Sequence, residues 1–202
     1  RGKPPKHAVA IPAPSRAAYG ADVAGGFAKA VKKAAKKLER RGHALAALIA
    51  DSIFSSDGVF PDPAGFLSDA VAVARKAGGV FIADEVQPGF GRTGRMWGFE
   101  RHGLSPDIVT MGKPMGNGYP MSGMATRPKL LAKFCKDVGY FNTFGGTPAA
   151  SAAGLAVLDV IRDEGLTENA AQVGAHLTGR LRALAERDPR VAEVRGAGLF
   201  IG

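Results

Sequence analysis

The chain has 202 residues, an apolar fraction of 46% and a net charge of +9, room for one large domain with an ordinary globular core. No stretch approaches the roughly 20 apolar residues that a membrane-spanning helix requires, and no signal-peptide pattern opens the chain. A single cysteine, Cys135, excludes an internal disulfide and fits a reducing compartment, so a cytoplasmic location is expected.

Residues 1 to 20 are rich in Pro, Ala and basic side chains without a clear period and read as a loop. Asp22 is the candidate cap of a helix that should end near Gly42. On it Phe27, Val31, Ala34 and Leu38 recur at helical spacing, and Lys29, Lys32, Lys33, Lys36, Lys37, Arg40 and Arg41 fill the rest of the wheel. That pattern reads as a solvated basic face. No aromatics interleave with the lysines, so no nucleic-acid partner is expected. Ala44 to Asp51 reads as a buried strand, and Ser55 to Pro63 as a loop. Asp62–Pro63 is a helix-start signal and Gly78 the stop, with Leu67, Ala70, Val71 and Ala74 as the buried stripe. Gly79 to Val86 is the next strand, so residues 44 to 86 form one βαβ unit, expected right-handed.

A loop from Pro88 to Asp107 leads to the run DIVTMGK, a further strand ending at Lys113. Met121 to Thr126 is a short strand. Thr147 caps, and Pro148 opens, an Ala-rich helix with Leu155, Leu158 and Ile161 on one face, stopped by Gly165. Another helix carries Leu177, Leu181 and Leu184 spaced for burial, and Val191 to Ile201 reads as one or two strands. His7, His43, His102 and His176 lack metal-ligand spacing, so neither a metal nor a Ser–His–Asp site is expected.

Two near-continuous apolar strands suit a parallel sheet covered on both faces. Ligands of such sheets sit beyond the carboxyl ends of the strands, where Asp84 and Lys113 both stand. A lysine is protonated at neutral pH and serves best as a Schiff base with a carbonyl cofactor. Pyridoxal phosphate is the common case, and its pyridinium nitrogen needs a carboxylate. The same pair would also fit a strand-end acid capping a turn and a surface lysine; the residues alone leave both open. Two other motifs fail. Gly89, Gly91 and Gly94 match G-x-G-x-x-G, but Arg95–Gly98 is a poor helix start for a dinucleotide fold. A phosphate loop ending at Gly112–Lys113 would put Asp107 at its first glycine and Pro114 at its Ser/Thr.

FIADEVQPGFGRTG (81–94), GKPMGNGYP around Lys113 and FNTFGGTPAA (141–150) resemble, in order, the signatures of class III pyridoxal-phosphate aminotransferases. The wording is nearest the branch of alanine–glyoxylate aminotransferases and amino-alcohol-phosphate phospholyases. The resemblance extends weakly through 46–63 and VRGAGLFIG. It implies an α/β fold of type I, a mostly parallel sheet with helices on both faces. Residues 1–165 would be part of the cofactor-binding large domain, and 166–202 the beginning of the C-terminal small domain. By resemblance, Lys113 carries the Schiff base and Asp84 meets the ring nitrogen. Val86 packs on the ring and Gln87 reaches its hydroxyl. Thr147 contributes to the phosphate site of the neighbouring subunit, implying a homodimer. Arg195 binds a substrate carboxylate, for which a planar guanidinium suits.

Two departures stand out. Asp51–Ser52 replaces a common Glu-Pro. Ser56 stands where many ω-amine users carry a glutamate that masks the arginine, so a free Arg195 and α-amino acids such as alanine are expected. The implied reaction moves an amino group to a keto acid such as glyoxylate or pyruvate; a phospholyase of the same lysine and aspartate is the alternative. The family's early phosphate cup and ring-stacking aromatic lie upstream of what aligns with Arg1, and a small domain should continue after Gly202. The chain is therefore expected to be part of a longer enzyme, with a non-catalytic piece lacking the upstream half of the site as the alternative.

Overall fold

The computed structural model describes residues 4–202; the part of the expected N-terminal loop over residues 1–3 lies outside them. That loop contains one helical turn, α1 (Arg16–Tyr19), because Ser15 accepts from Ala18 N and caps it. The Tyr19 hydroxyl donates to Pro12 O at 2.9 Å and its ring meets Phe27 edge-on. Such tertiary contacts leave no periodic trace in sequence. Helix α2 (Val23–Glu39) starts where Asp22 Oδ1 accepts from Gly25 N at 2.9 Å. Its stop is at Gly42, φ 79°, with His43 N–H reaching back to Leu38 O, the left-handed glycine close.

Strands β1 (Ala47–Asp51), β2 (Val80–Asp84) and β3 (Ile108–Met111) are parallel, and β4 (Gly123–Thr126) closes the sheet antiparallel, in the order β1-β2-β3-β4. This is the mostly parallel α/β sheet that the sequence implies. Between β1 and β2 runs α3 (Leu67–Lys76), burying Leu67, Ala70, Val71 and Ala74 as expected. Its cap differs from expectation. Phe66, not Asp62, precedes the first turn, the Asp62–Pro63 peptide is cis, and the Asp62 carboxylate pairs with Arg101 instead. Leu48, Ala50, Phe81 and Ala83 turn one sheet face toward α2 and α3. Phe27, Phe54 and Phe66 fill that layer with ring centroids 5.5–6.0 Å apart. Ile49 points the other way and is 61% exposed, as strand alternation requires.

Helix α4 (Pro128–Asp137) has no counterpart in the sequence reading. Helix α5 (Pro148–Asp163) begins at Thr147 as expected, with Oγ1 accepting from Ala150 N. Its leucine stripe is split: Ile161 faces the turn after β3, while Leu155 and Leu158 are exposed. Gly165, left-handed at φ 59°, separates it from α6 (Leu166–Ala185). On α6 the stripe Leu177–Leu181–Leu184 was expected to be buried, but Leu177 and Leu184 are exposed. The stripe continues the face of buried Ala170 and Gly174, and among the described residues the fully buried positions of α6 fall in that N-terminal half. That half meets the loop after β2 and the hairpin β5 (Gly196–Ala197)–β6 (Phe200–Ile201). Clearance there is nil. A Cβ on Gly174 would lie 2.0 Å from Gly198 O, one on Gly198 2.4 Å from Thr93 C, and one on Gly94 2.9 Å from Ala171 Cβ.

Candidate functional site

Parallel register aligns Asp51 with Asp84 and Asp84 with Thr110, so three strands end together. Asp84 Oδ1 accepts from Val86 N at 3.1 Å and from Thr110 Oγ1 at 3.5 Å. Beyond β3, Gly112 is extended and Lys113 sits at φ 43°. A lysine in the left-handed region is strained by about 1–3 kcal/mol, a cost that clusters at functional sites. Its Nζ donates to Gln87 Oε1 at 2.8 Å. Gln87 Nε2 donates in turn to Ser55 Oγ at 2.9 Å and Ser56 Oγ at 3.1 Å. Val86 Cγ2 lies 3.8 Å from where a Gly112 Cβ would stand, beside the lysine's backbone. Asp84, Val86, Gln87 and Lys113 thus gather at one sheet edge.

The other two sequence candidates stand apart. Thr147 caps α5, which packs on the turn after β3; Pro114, Gly116, Ala153 and Val157 share a cavity of ≈ 460 Å³ there. Arg195 lies one loop away. Its Nε donates to Gly58 O at 2.9 Å and Val59 O at 3.1 Å, its Nη1 pairs with Glu193, and its Cζ is 4.8 Å from the Phe60 ring centroid. The free arginine expected from Ser56 is therefore corrected: Ser56 bonds Gln87, and Glu193, two residues before the arginine, holds it.

Sequence reasoning missed one neighbouring carboxylate, Glu85, and the histidine beside it. Glu85 is fully buried and accepts from Ser52 Oγ (2.9 Å), Gly98 N (2.7 Å) and Phe99 N (3.0 Å). Burial outweighs those bonds and pushes its carboxyl up to about 7. Strand alternation was the available signal, since adjacent Asp84 and Glu85 must face opposite sides. His102 is also buried. Its Nδ1 accepts from Gly65 N, so Nε2 carries the proton to Ser52 O, and desolvation lowers it to about 4. Asp51 accepts from Ile53 N, Ser55 N and Ser55 Oγ, and burial still raises its carboxyl.

An amine, a strand-end carboxylate, an aliphatic side chain and an amide on one edge match the needs of an aromatic aldehyde cofactor: a carbonyl partner, a ring-nitrogen partner, a packing surface and a polar contact. A class-III aminotransferase family model matches residues 3–202. Alanine–glyoxylate aminotransferase 2 homolog 2, mitochondrial, of Arabidopsis thaliana is 43% identical, covering 97% of this chain and 40% of that protein. Mitochondrial alanine–glyoxylate aminotransferase 2 of Homo sapiens is 46% identical over 78% of this chain and 31% of its own length. A phospholyase from Arthrobacter, solved with phosphoethanolamine, has a TM-score of 0.83 and 42% identity, covering 88% of this chain and 42% of that one. The chain thus spans about 40% or less of the length of these curated relatives. The expectation of a cytoplasmic location is corrected by two relatives that are mitochondrial by name. A lone cysteine reports on disulfides, not on compartment.

Proposed function

This chain belongs to the class III aminotransferases, a pyridoxal-phosphate-dependent family, and on that premise we propose that it carries the lysine–aspartate half of a transaminase site. The full-length protein would move an amino group from an alanine-like donor to a keto acid such as glyoxylate or pyruvate. The observation that supports this is that Asp84 ends one parallel strand and Lys113 follows the next at the same carboxyl edge, with Gln87 bonded to the amine.

When bound, pyridoxal phosphate supplies a carbonyl for amines and a ring that withdraws electrons from the adjoining carbon. Lys113 would hold it through its amine and, once free, that amine would serve as general base for the donor's α-proton. Asp84 would accept from the ring nitrogen's N–H and keep it protonated. Val86 would offer the ring a packing surface, and Gln87 a polar contact for its hydroxyl. Thr147, which caps a helix whose first N–H groups can meet an anion, would contribute to the phosphate site of a second subunit in a homodimer. Arg195 exchanges Glu193 for the substrate carboxylate. We divide the chain at Gly165, with 1–165 in the cofactor-binding domain and 166–202 opening a smaller one. A phospholyase reading, supported by the likeness to the Arthrobacter enzyme, uses the same lysine and aspartate.

The test is to add pyridoxal phosphate to the purified full-length protein, reduce with borohydride and map the modified residue. Modification at Lys113, absent from Lys113→Ala, is expected; modification elsewhere or nowhere ends the reading. Assays with alanine plus glyoxylate against phosphoethanolamine separate the two reactions.

A further inference from the structure

Asp51, at the end of β1, has no part in the function proposed above. Its Oδ1 accepts from Ile53 N at 2.9 Å and its Oδ2 from Ser55 N at 2.8 Å. Backbone N–H groups can only donate, so both oxygens are fixed as acceptors. The Ser55 hydroxyl also donates to Oδ2, which commits its single proton. Ser55 Oγ is then left with lone pairs and can bond Gln87 only by accepting. Gln87 Nε2 does donate to it at 2.9 Å. An amide turned this way presents its oxygen on the opposite side, where it accepts from Lys113 Nζ at 2.8 Å. Ser56 cannot enforce this alone, because its hydroxyl can donate to an amide oxygen or accept from an amide nitrogen.

We propose that Asp51 and Ser55 are positioning residues that hold the Gln87 carbonyl toward Lys113 and so aim the amine for cofactor capture. Polarity passes from a carboxylate on β1, through a hydroxyl and an amide, to the amine that follows β3. Without it, Gln87 is free to turn its –NH2 toward the ammonium, setting donor against donor. This departs from the Glu-Pro of many relatives: the shorter Asp51 reaches Gln87 through Ser55. The proposal rests on the role given to Lys113.

The test uses the full-length protein freed of cofactor. Pyridoxal phosphate is added, borohydride stops the reaction at set times, and mass spectrometry follows labelling of Lys113. Asp51→Asn and Ser55→Ala should each slow capture about fivefold, the worth of one net hydrogen bond. Ser55→Thr, which keeps the hydroxyl, should match the parent. Gln87→Glu offers an acceptor whichever way it lies, so Asp51→Asn/Gln87→Glu should capture at the rate of Gln87→Glu alone. If Asp51 only caps its own turn, Gln87→Glu brings no rescue and the relay is overturned. Should Asp51→Asn fold poorly, Ser55→Ala still decides, since both backbone bonds to Asp51 remain. Unchanged capture in Ser55→Ala overturns the relay alone; a parent that captures nothing on Lys113 overturns the function as well.

Discussion

At the scale of single residues, the site separates groups that would react from groups that hold them. Lys113→Ala should abolish cofactor capture, and Asp84→Asn should lower turnover by about 100-fold or more, read as kcat with alanine and glyoxylate. Glu193→Gln should lower KM for carboxylate donors with little change in kcat, because Arg195 then sheds a competitor. Glu85 and His102 make an opposed pair. Glu85 titrates near 7 against an ordinary 4.5, so the folded state binds the extra proton and stability from this group falls as pH rises between those values. His102 titrates near 4 against 6.5, so the unfolded state binds the proton and stability is lost as pH falls through that window. Between pH 4.5 and 6.5 the slopes oppose and nearly cancel. Glu85→Gln should remove one of them. Urea unfolding of that variant should then show stability rising from pH 4 to 6.5 by about 2–3 kcal/mol more than in the parent.

At the scale of elements, α3 binds β1 and β2 into one layer, and Leu67 is fully buried in it. Leu67→Ala should cost about 2–5 kcal/mol in denaturant unfolding. Thr147→Ala should cost about 1 kcal/mol as a lost cap. Weaker pyridoxal phosphate binding in the same variant, with Thr147→Ser restoring both, would support its phosphate role. Local signals made much of this layer legible. Asp22 and Gly42 bracket α2, Thr147–Pro148 opens α5, and three apolar runs end at the acids and the lysine. Composition misled where a distant partner decided. Asp62–Pro63 looked like a cap because Arg101 lies 39 positions away (101 − 62). The α6 leucines look buried because spacing reports a face, not how far its cover extends. The Asp51–Ser55–Gln87–Lys113 chain spans 62 positions (113 − 51) and two strand crossings, which no local pattern encodes.

At the scale of the whole molecule, apolar surface concentrates after Val138. Tyr140, Phe141 and Phe144 are 70%, 86% and 83% exposed just before Thr147. A second copy of the chain seated there would cover those rings and bring Thr147 near a neighbouring site. Sedimentation of the full-length protein should give a dimer, and Phe141→Asp/Phe144→Asp should give a monomer with weakened cofactor affinity. A dimeric double variant that binds cofactor normally would dissociate the two ideas. The glycine contact of Gly94, Gly174 and Gly198 has a consequence for how the chain is made. A growing polypeptide exposes the residues after β2 long before Gly198 leaves the ribosome, and residues emerge at about 5–20 per second. The stretch beside Asp84 therefore waits seconds for its final neighbour and stays open through that interval.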